Sequence, residues 1–330
     1  MRAAWYERTG PAREVLVVGE MPTPPAAPGE VRVKLAWSGV NPSDVKSRAG
    51  LRSSALPYPR IVPHSDGAGV IDAVGAGVPG ARLGERVWVW NAAWQRPFGT
   101  AAEYVVLPAH QAVPLPAAVE SAAGACFGIP ALTAWHAIHC GDGVAGRSVL
   151  VAGGAGAVGH YAIQFAKLAG ATFIASTVSN ADKAMLAAAA GATLVLNYRT
   201  DDVGARLGEA TRGAGVDRVV EVDAAANLAL DLAIVRTGGD VVVYGSGAPQ
   251  VAVPFFPAIV KNVTVRFFIV YNLDAVDRRR AIDGLTALLE AGRLVHNVAA
   301  RLPLARIAEA HELVESGRVT GNVVIDLAAP

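Results

Sequence analysis

The sequence predicts an α/β protein that joins a β-rich, barrel-like module to a doubly wound parallel sheet. Residues 1 to about 120 carry short alternating or β-branched runs, which clusters of proline and glycine separate. From about residue 130 onwards, apolar runs alternate with helical patterns, as in a parallel sheet covered by helices. A glycine-rich turn lies between the first strand and the first full helix of this second part, which favours the same assignment.

The individual elements follow from these patterns. In the first module, residues 31–35 and 87–90 read as strands, and residues 22–28 and 75–84 as turns. In the second, strands are predicted at residues 148–152, 172–176, 193–196, 218–222, 241–244 and 263–270. Helices are predicted between them at residues 159–168, 181–190, 202–211 and 227–236. Helices at 279–291 and 304–316 and a strand at 323–326 return to the first module, so the predicted domains are 1–125 with 271–330, and 126–270.

The composition is that of a folded protein with large apolar cores. Of the 330 residues, 52% are hydrophobic and 17% are charged, which excludes disorder. The mean hydropathy of +0.36 is high for a soluble protein, and this favours an oligomer that buries part of its surface. A net charge of +1 gives no field for a nucleic acid or a membrane surface, so neither partner is expected.

The sequence also predicts a cytoplasmic location. Two cysteines cannot form a disulfide framework, and the first eight residues are charged early and lack the apolar core of a signal peptide. Residues 121–141 contain no Asp, Glu, Lys or Arg and are long enough to span a bilayer. Gly124, Gly128 and Pro130 argue against a span, and a buried helix leading into the second module is expected instead.

The glycine-rich turn carries the most specific motif. Gly154, Gly156 and Gly159 fit G-x-G-x-x-G between an apolar strand and a helix, which predicts a dinucleotide site. The first glycine permits a tight turn, the second lets the backbone approach a pyrophosphate, and the third lets the helix pack close to the strand. The helix N-terminus offers free N–H groups to the phosphates. The alternative is a glycine-rich turn in an ordinary α/β protein.

The second strand of this unit indicates which nucleotide binds. NAD-binding units usually end that strand with an acid that holds the ribose 2′-hydroxyl, whereas no acid appears here before Asp182. Serine and threonine hydroxyls occupy the place, Lys183 follows one turn later, and Tyr198 comes after the third strand. These groups suit a 2′-phosphate, so NADPH is the predicted cofactor. Alternatively, Lys183 is only a solvated helix residue.

Several further motifs, spread over nearly the whole chain, point to one family. They are Gly39-Val40-Asn41-Pro42-Ser43-Asp44, Asp66-Gly67-Ala68-Gly69-Val70, Ala102-Glu103-Tyr104-Val105-Val106, Leu132-Thr133-Ala134-Trp135, Asn197-Tyr198-Arg199, Gly238-Gly239 and Tyr244-Gly245-Ser246. With them the chain resembles the zinc-free medium-chain dehydrogenase/reductases, specifically the NADPH:quinone oxidoreductase (zeta-crystallin-like) group. The resemblance implies a GroES-like β-barrel catalytic domain, completed by the C-terminus, with a Rossmann NADPH-binding domain inserted.

The resemblance also implies the cofactor contacts. The pyrophosphate loop would be lined by Ala155, Gly156, Ala157 and Val158, and the adenosine phosphate surrounded by Ser176, Thr177, Val178, Lys183 and Tyr198. The ribose and nicotinamide would be approached by Asn227, Val243, Tyr244, Gly245, Ser246, Phe268, Ile269 and Val270. Asn41 and Thr133 would lie near the nicotinamide at the domain cleft, and Arg318, in the C-terminal segment, would reach the phosphate.

No metal is predicted. Zinc-dependent relatives have Cys at the position of Asn41, His at that of Ser65 and Cys close to Cys126, and only the last of these survives here. His64 lies one residue from the ligand position, where a register shift could bring it into play. Catalytic zinc needs three protein ligands, so one cysteine and a displaced histidine do not make a site. The four-cysteine structural zinc lobe is also absent from the sequence.

The predicted reaction is hydride transfer from NADPH to a quinone or to the β-carbon of an activated alkene. The Asn41 amide would donate to the developing oxyanion, with Thr133 beside it and water as the proton source. Alternatively Asn41 is a turn residue before Pro42, and Asp44 only orients the loop. Lys46 stands where many relatives have Tyr; it could donate a proton, attract an anionic substrate, or extend into solvent.

Three questions stay open at this point. Trp90, Trp94 and Phe98 could stack on an aromatic acceptor or only cover the cleft. The acceptor could be a quinone or an α,β-unsaturated carbonyl or enoyl thioester. The protein could also be a non-catalytic NADPH-binding structural or RNA-associated protein, which the near-neutral charge disfavours.

The apolar run 263–270 would be an open sheet edge in a monomer, so a homodimer is expected.

Overall fold

The computed structural model describes residues 1–329, in which helices alternate with strands along the second half of the chain. The strands are β1 (Arg2–Trp5), β2 (Val17–Glu20), β3 (Glu30–Val40), β4 (Asp66–Val74), β5 (Arg86–Val89), β6 (Tyr104–Pro108), β7 (Ala112–Pro114), β8 (Ser148–Val151), β9 (Phe173–Val178), β10 (Leu194–Asn197), β11 (Val216–Glu221), β12 (Val235–Val243), β13 (Thr264–Phe267), β14 (Val298–Pro303) and β15 (Asn322–Asp326). The helices are α1 (Ala12–Val15), α2 (Pro42–Arg48), α3 (Ser121–Gly124), α4 (Leu132–His139), α5 (Ala157–Leu168), α6 (Ala181–Ala190), α7 (Val203–Ala210), α8 (Ala224–Ile234), α9 (Phe255–Val260), α10 (Ala275–Glu290) and α11 (Ile307–Glu315).

The chain divides into two compact units. One unit comprises residues 1–130 and 286–330, and the other comprises residues 131–285. Neither boundary coincides with the predicted ones at 125/126 and 270/271, and the second falls inside α10. The predicted domain limits therefore stay a prediction, although the order of the two folds along the chain is as expected.

The first unit is a mainly antiparallel β-structure built around the long strand β3. This strand pairs with β4, β6 and β15, and the sheet order is β14-β15-β3-β4-β5-β7. Alternate residues of β3, namely Val31, Val33 and Leu35, point into the apolar core. The C-terminal strands β14 and β15 thus complete the N-terminal module, which confirms the predicted GroES-like arrangement.

The second unit is a six-stranded parallel sheet in the order β10-β9-β8-β11-β12-β13. The chain first moves outwards from β8 to β10 and then returns to β11 on the other side of β8. In doubly wound sheets, ligands bind at the carboxyl ends of the strands, at such a point of reversal. The predicted Rossmann fold is confirmed. Its topology indicates that a ligand binds at the carboxyl ends of β8 and β11, where the strand order reverses.

Two predicted elements differ in extent. The predicted helix 227–236 is α8, which begins earlier and ends at Ile234, because Val235 pairs with Val216 in the parallel sheet as the start of β12. The predicted strand 263–270 is only β13, followed by a 3₁₀ turn at Val270–Asn272. Short apolar runs fit a strand or a helix equally well, so pairing in the sheet decided these ends.

The charge-free stretch 121–141 is not one helix. It forms α3, a π-helical turn at Phe127–Ala131 and α4. Pro130 lies inside the π-helical turn, where its missing N–H interrupts the regular helical hydrogen bonds. Within residues 1–329, no helix is both long and apolar enough to cross a membrane.

A buried ion pair joins three elements of the second unit. The Arg218 guanidinium on β11 lies 2.6 Å from a carboxylate oxygen of Asp240 on β12, and its side chain is 1% exposed. The same guanidinium donates to the carbonyls of Ala137, Ile138 and Cys140 at the end of α4. One side chain therefore satisfies the free carbonyls at the end of a helix and links that helix to the sheet.

Candidate active site

The glycine turn after β8 is shaped by close backbone contacts. Gly153 has a φ of +66°, a conformation that side-chain-bearing residues rarely adopt. A Cβ on Gly154 would lie 2.0 Å from the Ser176 hydroxyl, and one on Gly159 would lie 2.3 Å from the Gly153 carbonyl oxygen. The left-handed residue is thus Gly153 rather than Gly154, whose own constraint is packing against Ser176. Gly159 has the predicted role of letting α5 approach the turn.

Helix α5 begins directly after this turn. Gly156 is its N-cap, is exposed, and has no side chain that could accept from the first N–H groups. The N-terminus of this twelve-residue helix can therefore bind a diphosphate between the carboxyl ends of β8 and β9. The crowding at Gly154 and Gly159 and the uncapped helix together fit a dinucleotide; Ala155 lies in the turn, and Ala157 and Val158 are the first two residues of α5.

The carboxyl end of β9 is lined by neutral hydroxyls, but most are already bonded. Ser176 Oγ donates to the Val151 carbonyl at 3.0 Å, and Thr177 Oγ1 accepts from the Gly153 N–H at 3.2 Å. The Thr177 hydroxyl therefore holds the glycine turn against β9, and the Ser176 hydroxyl links β9 to β8. Val178 is buried beside them. Their predicted contact with a phosphate stays a prediction.

Two predicted phosphate-site residues are available to a ligand. Lys183 lies half-buried in the first turn of α6, whose N-cap Asn180 accepts from the Lys183 backbone N–H at 2.9 Å. Tyr198 follows β10 and is 55% exposed. A cation and a phenol at this end of the sheet fit a ribose 2′-phosphate better than a bare ribose.

The residues predicted near the nicotinamide follow β11, β12 and β13. The Asn227 amide on α8 donates to the Glu221 carboxylate at 3.0 Å, and the Tyr244 N–H donates to the Glu221 carbonyl at 3.1 Å. Phe268 donates its N–H to the Val243 carbonyl, and its ring lies 4.6 Å from that of His136. Tyr244, Gly245, Ser246, Phe268 and Ile269 are partly buried, and Val270 and Thr133 are buried. Glu221 is not among the residues predicted from the sequence, although it ends β11 at the carboxyl edge of the parallel sheet, where ligands bind.

In the first unit, Asn41 is fixed by two carboxylates. It follows β3 and is the N-cap of α2, with a 3% exposed side chain. Its backbone N–H donates to Asp44 Oδ2 at 2.8 Å, and its Nδ2 donates to Asp66 Oδ2 at 3.0 Å. A carboxylate can only accept, so Asp66 determines which end of the amide is the NH₂ group, and one of its two hydrogens remains for a ligand.

Asp66 lies in one of the motifs that identify the family, but its role is not predictable from the sequence. Its side chain is fully buried, and Oδ2 also accepts from the Ile129 N–H at 3.0 Å. A Cβ on Gly128 would lie 2.4 Å from Asp66 Oδ1, so a glycine there lets the backbone approach the carboxylate. The hydrogen bonds between β3 and β4 align Gly39 with Asp66, and this pairing brings the carboxylate to Asn41.

Asp44 and Lys46 both lie on α2. Burial raises the pKa of Asp44 to about 7, against the weaker effects of its bonds to Asn41 and of the nearby Arg52 charge. Asp44 therefore changes its charge near neutral pH, next to Asn41. Lys46 is half-buried two residues further along the helix. Both roles predicted for these residues stay predictions.

The two residues considered above as possible zinc ligands, His64 and Cys126, are both unsuitable. His64 Nδ1 is bonded to Ser38 Oγ at 2.8 Å and its Nε2 to His311 Nε2 at 2.9 Å, and burial lowers the pKa of His64 to about 3. Cys126 is buried, its Sγ lies 3.6 Å from the Ala122 carbonyl oxygen, and burial raises its thiol pKa. In the part of the chain described, no three His, Cys, Asp or Glu side chains are grouped to hold a metal. These residues do not fit a catalytic zinc ion.

The remaining predicted residues are scattered. Trp90 is buried and packs edge-on against His110 at 5.7 Å, whereas Phe98 is 48% exposed and Trp94 is partly buried. The three aromatic residues thus differ in environment, and Phe98 is the one most open to a ligand. Arg318 is exposed in the loop between α11 and β15. Its predicted contact with a phosphate stays a prediction.

Two family models match this chain. Residues 27–117 match the alcohol dehydrogenase GroES-like domain, and residues 157–289 match the zinc-binding dehydrogenase family. The first match covers most of the barrel strands and the second begins at α5. The second family's name refers to zinc, whereas the ligand positions of this chain do not fit that ion.

Known proteins resemble the chain over nearly its full length. The quinone oxidoreductase of Lama guanicoe is 30% identical over 329 residues, covering 98% of this chain and 97% of that protein. A crystal structure of an NAD-dependent alcohol dehydrogenase superimposes with a TM-score of 0.90 and 31% identity, covering 99% of this chain and 100% of the other. Escherichia coli quinone oxidoreductase complexed with NADPH gives a TM-score of 0.88 and 26% identity, again covering 99% and 100%.

Proposed function

This chain belongs to the zeta-crystallin-like group of the medium-chain dehydrogenase/reductases and is an oxidoreductase, and from this premise we propose that it reduces quinones with NADPH. The observation that carries the proposal is the buried Asn41 amide, whose orientation is set by Asp66 and whose second hydrogen is left for an acceptor oxygen. Quinone reduction needs such a donor, because negative charge develops on the carbonyl oxygen.

The second unit supplies the cofactor site. Its glycine turn and the N-terminus of α5 bind the pyrophosphate, and Lys183 with Tyr198 binds the 2′-phosphate. The similarity to an NADPH complex supports this choice, whereas the similarity to an NAD-dependent enzyme makes cofactor preference the first point to test. Bound NADPH would supply the hydride.

The first unit supplies the groups that act on the acceptor. Asn41 Nδ2 donates to the acceptor oxygen, and Asp66 keeps the amide from rotating so that its oxygen does not face the developing anion. Asp44 Oδ2 holds the Asn41 backbone. When Asp44 is protonated, no additional negative charge opposes the anion, and water then supplies the final proton. Turnover is therefore favoured below the Asp44 pKa of about 7.

The test is oxidation of NADPH and of NADH in the presence of a soluble ortho- or para-quinone. Fast turnover with NADPH alone is the expected result. Turnover with NADH alone would overturn the assignment of Lys183 and Tyr198. Tight NADPH binding without turnover of any quinone would overturn the quinone assignment and favour an α,β-unsaturated carbonyl or enoyl thioester. Failure with those acceptors too would favour a non-catalytic role.

We also propose that the protein is a homodimer. Strand β13 is the edge of the parallel sheet, and a group of apolar side chains on β13 and the neighbouring helix α9 is more than half exposed. These side chains are Phe255, Phe256, Ile259, Val260 and Phe267. Open edges beside apolar surface tend to pair, and a second copy can offer the same strand and the same patch about a two-fold axis.

A further inference from the structure

Two buried carboxyl groups in the second unit have no part in the mechanism described so far. Glu221 ends β11 and is 1% exposed, and Asp231 lies on α8 and is 2% exposed. The two carboxyl side chains lie within hydrogen-bonding reach of each other, and Asp231 Oδ2 is a buried oxygen that no donor of the described chain faces. Two carboxylates in contact and away from water cannot both carry a charge, so the pair holds one proton. Burial, reinforced by the Glu221 charge, raises the pKa of Asp231 to about 9, so this proton stays in place at neutral pH.

Glu221 ties together the two loops that follow β11 and β12. Its Oε1 accepts from the Asp223 backbone N–H and from the Asn227 amide. Asp223 Oδ1 in turn accepts from the Gly247 N–H at 2.6 Å. The Ala224 N–H donates to the Gly245 carbonyl at 3.1 Å. These loops carry the residues implied for the ribose and nicotinamide.

We infer that Asp231, in its neutral form, is a positioning residue for the nicotinamide end of the cofactor, acting through Glu221 on the loops after β11 and β12. This inference rests on the proposed cofactor site. The Asp231 hydroxyl donates to Glu221 and leaves Oε1 free to accept from both Asp223 and Asn227. Loss of the proton would bring two negative charges into contact and would separate Glu221 from α8, and the loops would shift with it.

Besides Glu221 and Asp231 themselves, two titratable groups among residues 1–329 face this pair. Asp223 at the start of α8 and Tyr244 after β12 face Glu221. Lys261, which follows α9, instead donates to the carbonyls at the end of α8. The alkaline response of cofactor binding is therefore assigned to Asp231. If only the protonated pair supports binding, affinity falls about tenfold for each pH unit above its pKa.

The experiment is titration of NADPH fluorescence from about pH 7 to about pH 10 with the wild type, Asp231→Asn and the control Asp283→Asn. The asparagine amide can donate to Glu221 as the neutral acid does but cannot ionise. Asp283 is an exposed aspartate on α10, and its replacement tests the loss of an ordinary carboxylate. We expect equal affinity for all three at neutral pH. Between neutral pH and about pH 10, the affinity of the wild type and of the control should fall about tenfold, and that of Asp231→Asn should not.

A wild-type affinity that does not change with pH, or a parallel loss in Asp231→Asn, would overturn the inference. Absence of NADPH binding at every pH would instead overturn the proposed function. Thermal unfolding then tests the pair by itself: the melting temperature of Asp231→Asn should exceed that of the wild type, by a margin that grows up to about pH 9. If the melting temperatures of the wild type and Asp231→Asn change with pH in parallel, or if Asp231→Asn fails to fold, the inference that the pair shares a proton is wrong.

Discussion

Replacement of Asn41 by alanine tests the centre of the proposed mechanism. The change removes the amide hydrogen assigned to the acceptor oxygen and also the hydrogen bond to Asp66 at 3.0 Å. Removal of one preorganised oxyanion donor typically lowers kcat by about 10²–10³, or about 2.7–4 kcal/mol. We therefore expect kcat for quinone reduction to fall by at least about a hundredfold, with the NADPH dissociation constant unchanged.

The same change also affects stability, and the two effects must be separated. Loss of an N-cap side chain costs about 0.5–2 kcal/mol. The buried Asp66 carboxylate keeps its bond to the Ile129 N–H but loses its second donor, which costs about 1–3 kcal/mol more. Asn41→Ala should therefore unfold at a lower urea concentration than the wild type, while its folded fraction still binds NADPH.

Two further variants serve as controls. Asp202→Ala removes the N-cap of α7, which accepts from the Ala205 N–H at 2.9 Å, and should lower stability without lowering kcat. Asp66→Asn keeps the shape of the buried group but lets the Asn41 amide rotate, so it should lower kcat in part. A double variant of Asn41 and Asp66 should be no slower than Asn41→Ala, because both changes remove one function.

The assay is steady-state oxidation of NADPH with a saturating soluble quinone, alongside urea unfolding and NADPH titration of each variant. A fall in kcat of less than about threefold in Asn41→Ala would refute the oxyanion role, given the penalties typical of such donors. Equal losses of kcat in Asp202→Ala and Asn41→Ala would also refute it, because instability alone would then explain the result.

Three other predictions follow from the same structure. Turnover should fall as pH rises through about 7, and Asp44→Asn should lose this pH dependence. Because folding raises the pKa of Asp44, the stability that this residue contributes is full below about pH 4 and is lost as pH rises to about 7. Arg218→Ala should cost about 3–5 kcal/mol in urea unfolding, since it leaves Asp240 and three carbonyls without their partner, and a cost under about 1 kcal/mol would contradict this. Phe256→Asp should give a monomer in sedimentation velocity, whereas Met185→Asp, an equally exposed apolar position on α6, should not; a wild-type monomer would contradict the dimer.

Local signals in the sequence were enough to predict some elements in full. Helix α6 spans the residues predicted for it, because Asn180 caps its N-terminus and Gly191, with a φ of +122°, ends it. The strand–turn–helix around Gly156 was predictable for a similar reason, since tight turns and close contacts require glycine. The end of α8 was not predictable, because the parallel pairing of β12 with β11 decides it and no local pattern reports that pairing.

For the candidate site, the sequence by itself determined the residue types and the loops that carry them. Asn41 before Pro42, the glycine turn, and a second strand that ends without an acid ahead of Lys183 could each be interpreted from the sequence. Only the tertiary structure decided the partners: β3–β4 pairing brings Asp66 to Asn41, and packing of α8 on β11 brings Asp231 to Glu221. Periodicity along a chain reports which face is buried, whereas a proton's position depends on contacts through space and on exclusion of water. Those two conditions exist only after the strands and helices have packed together.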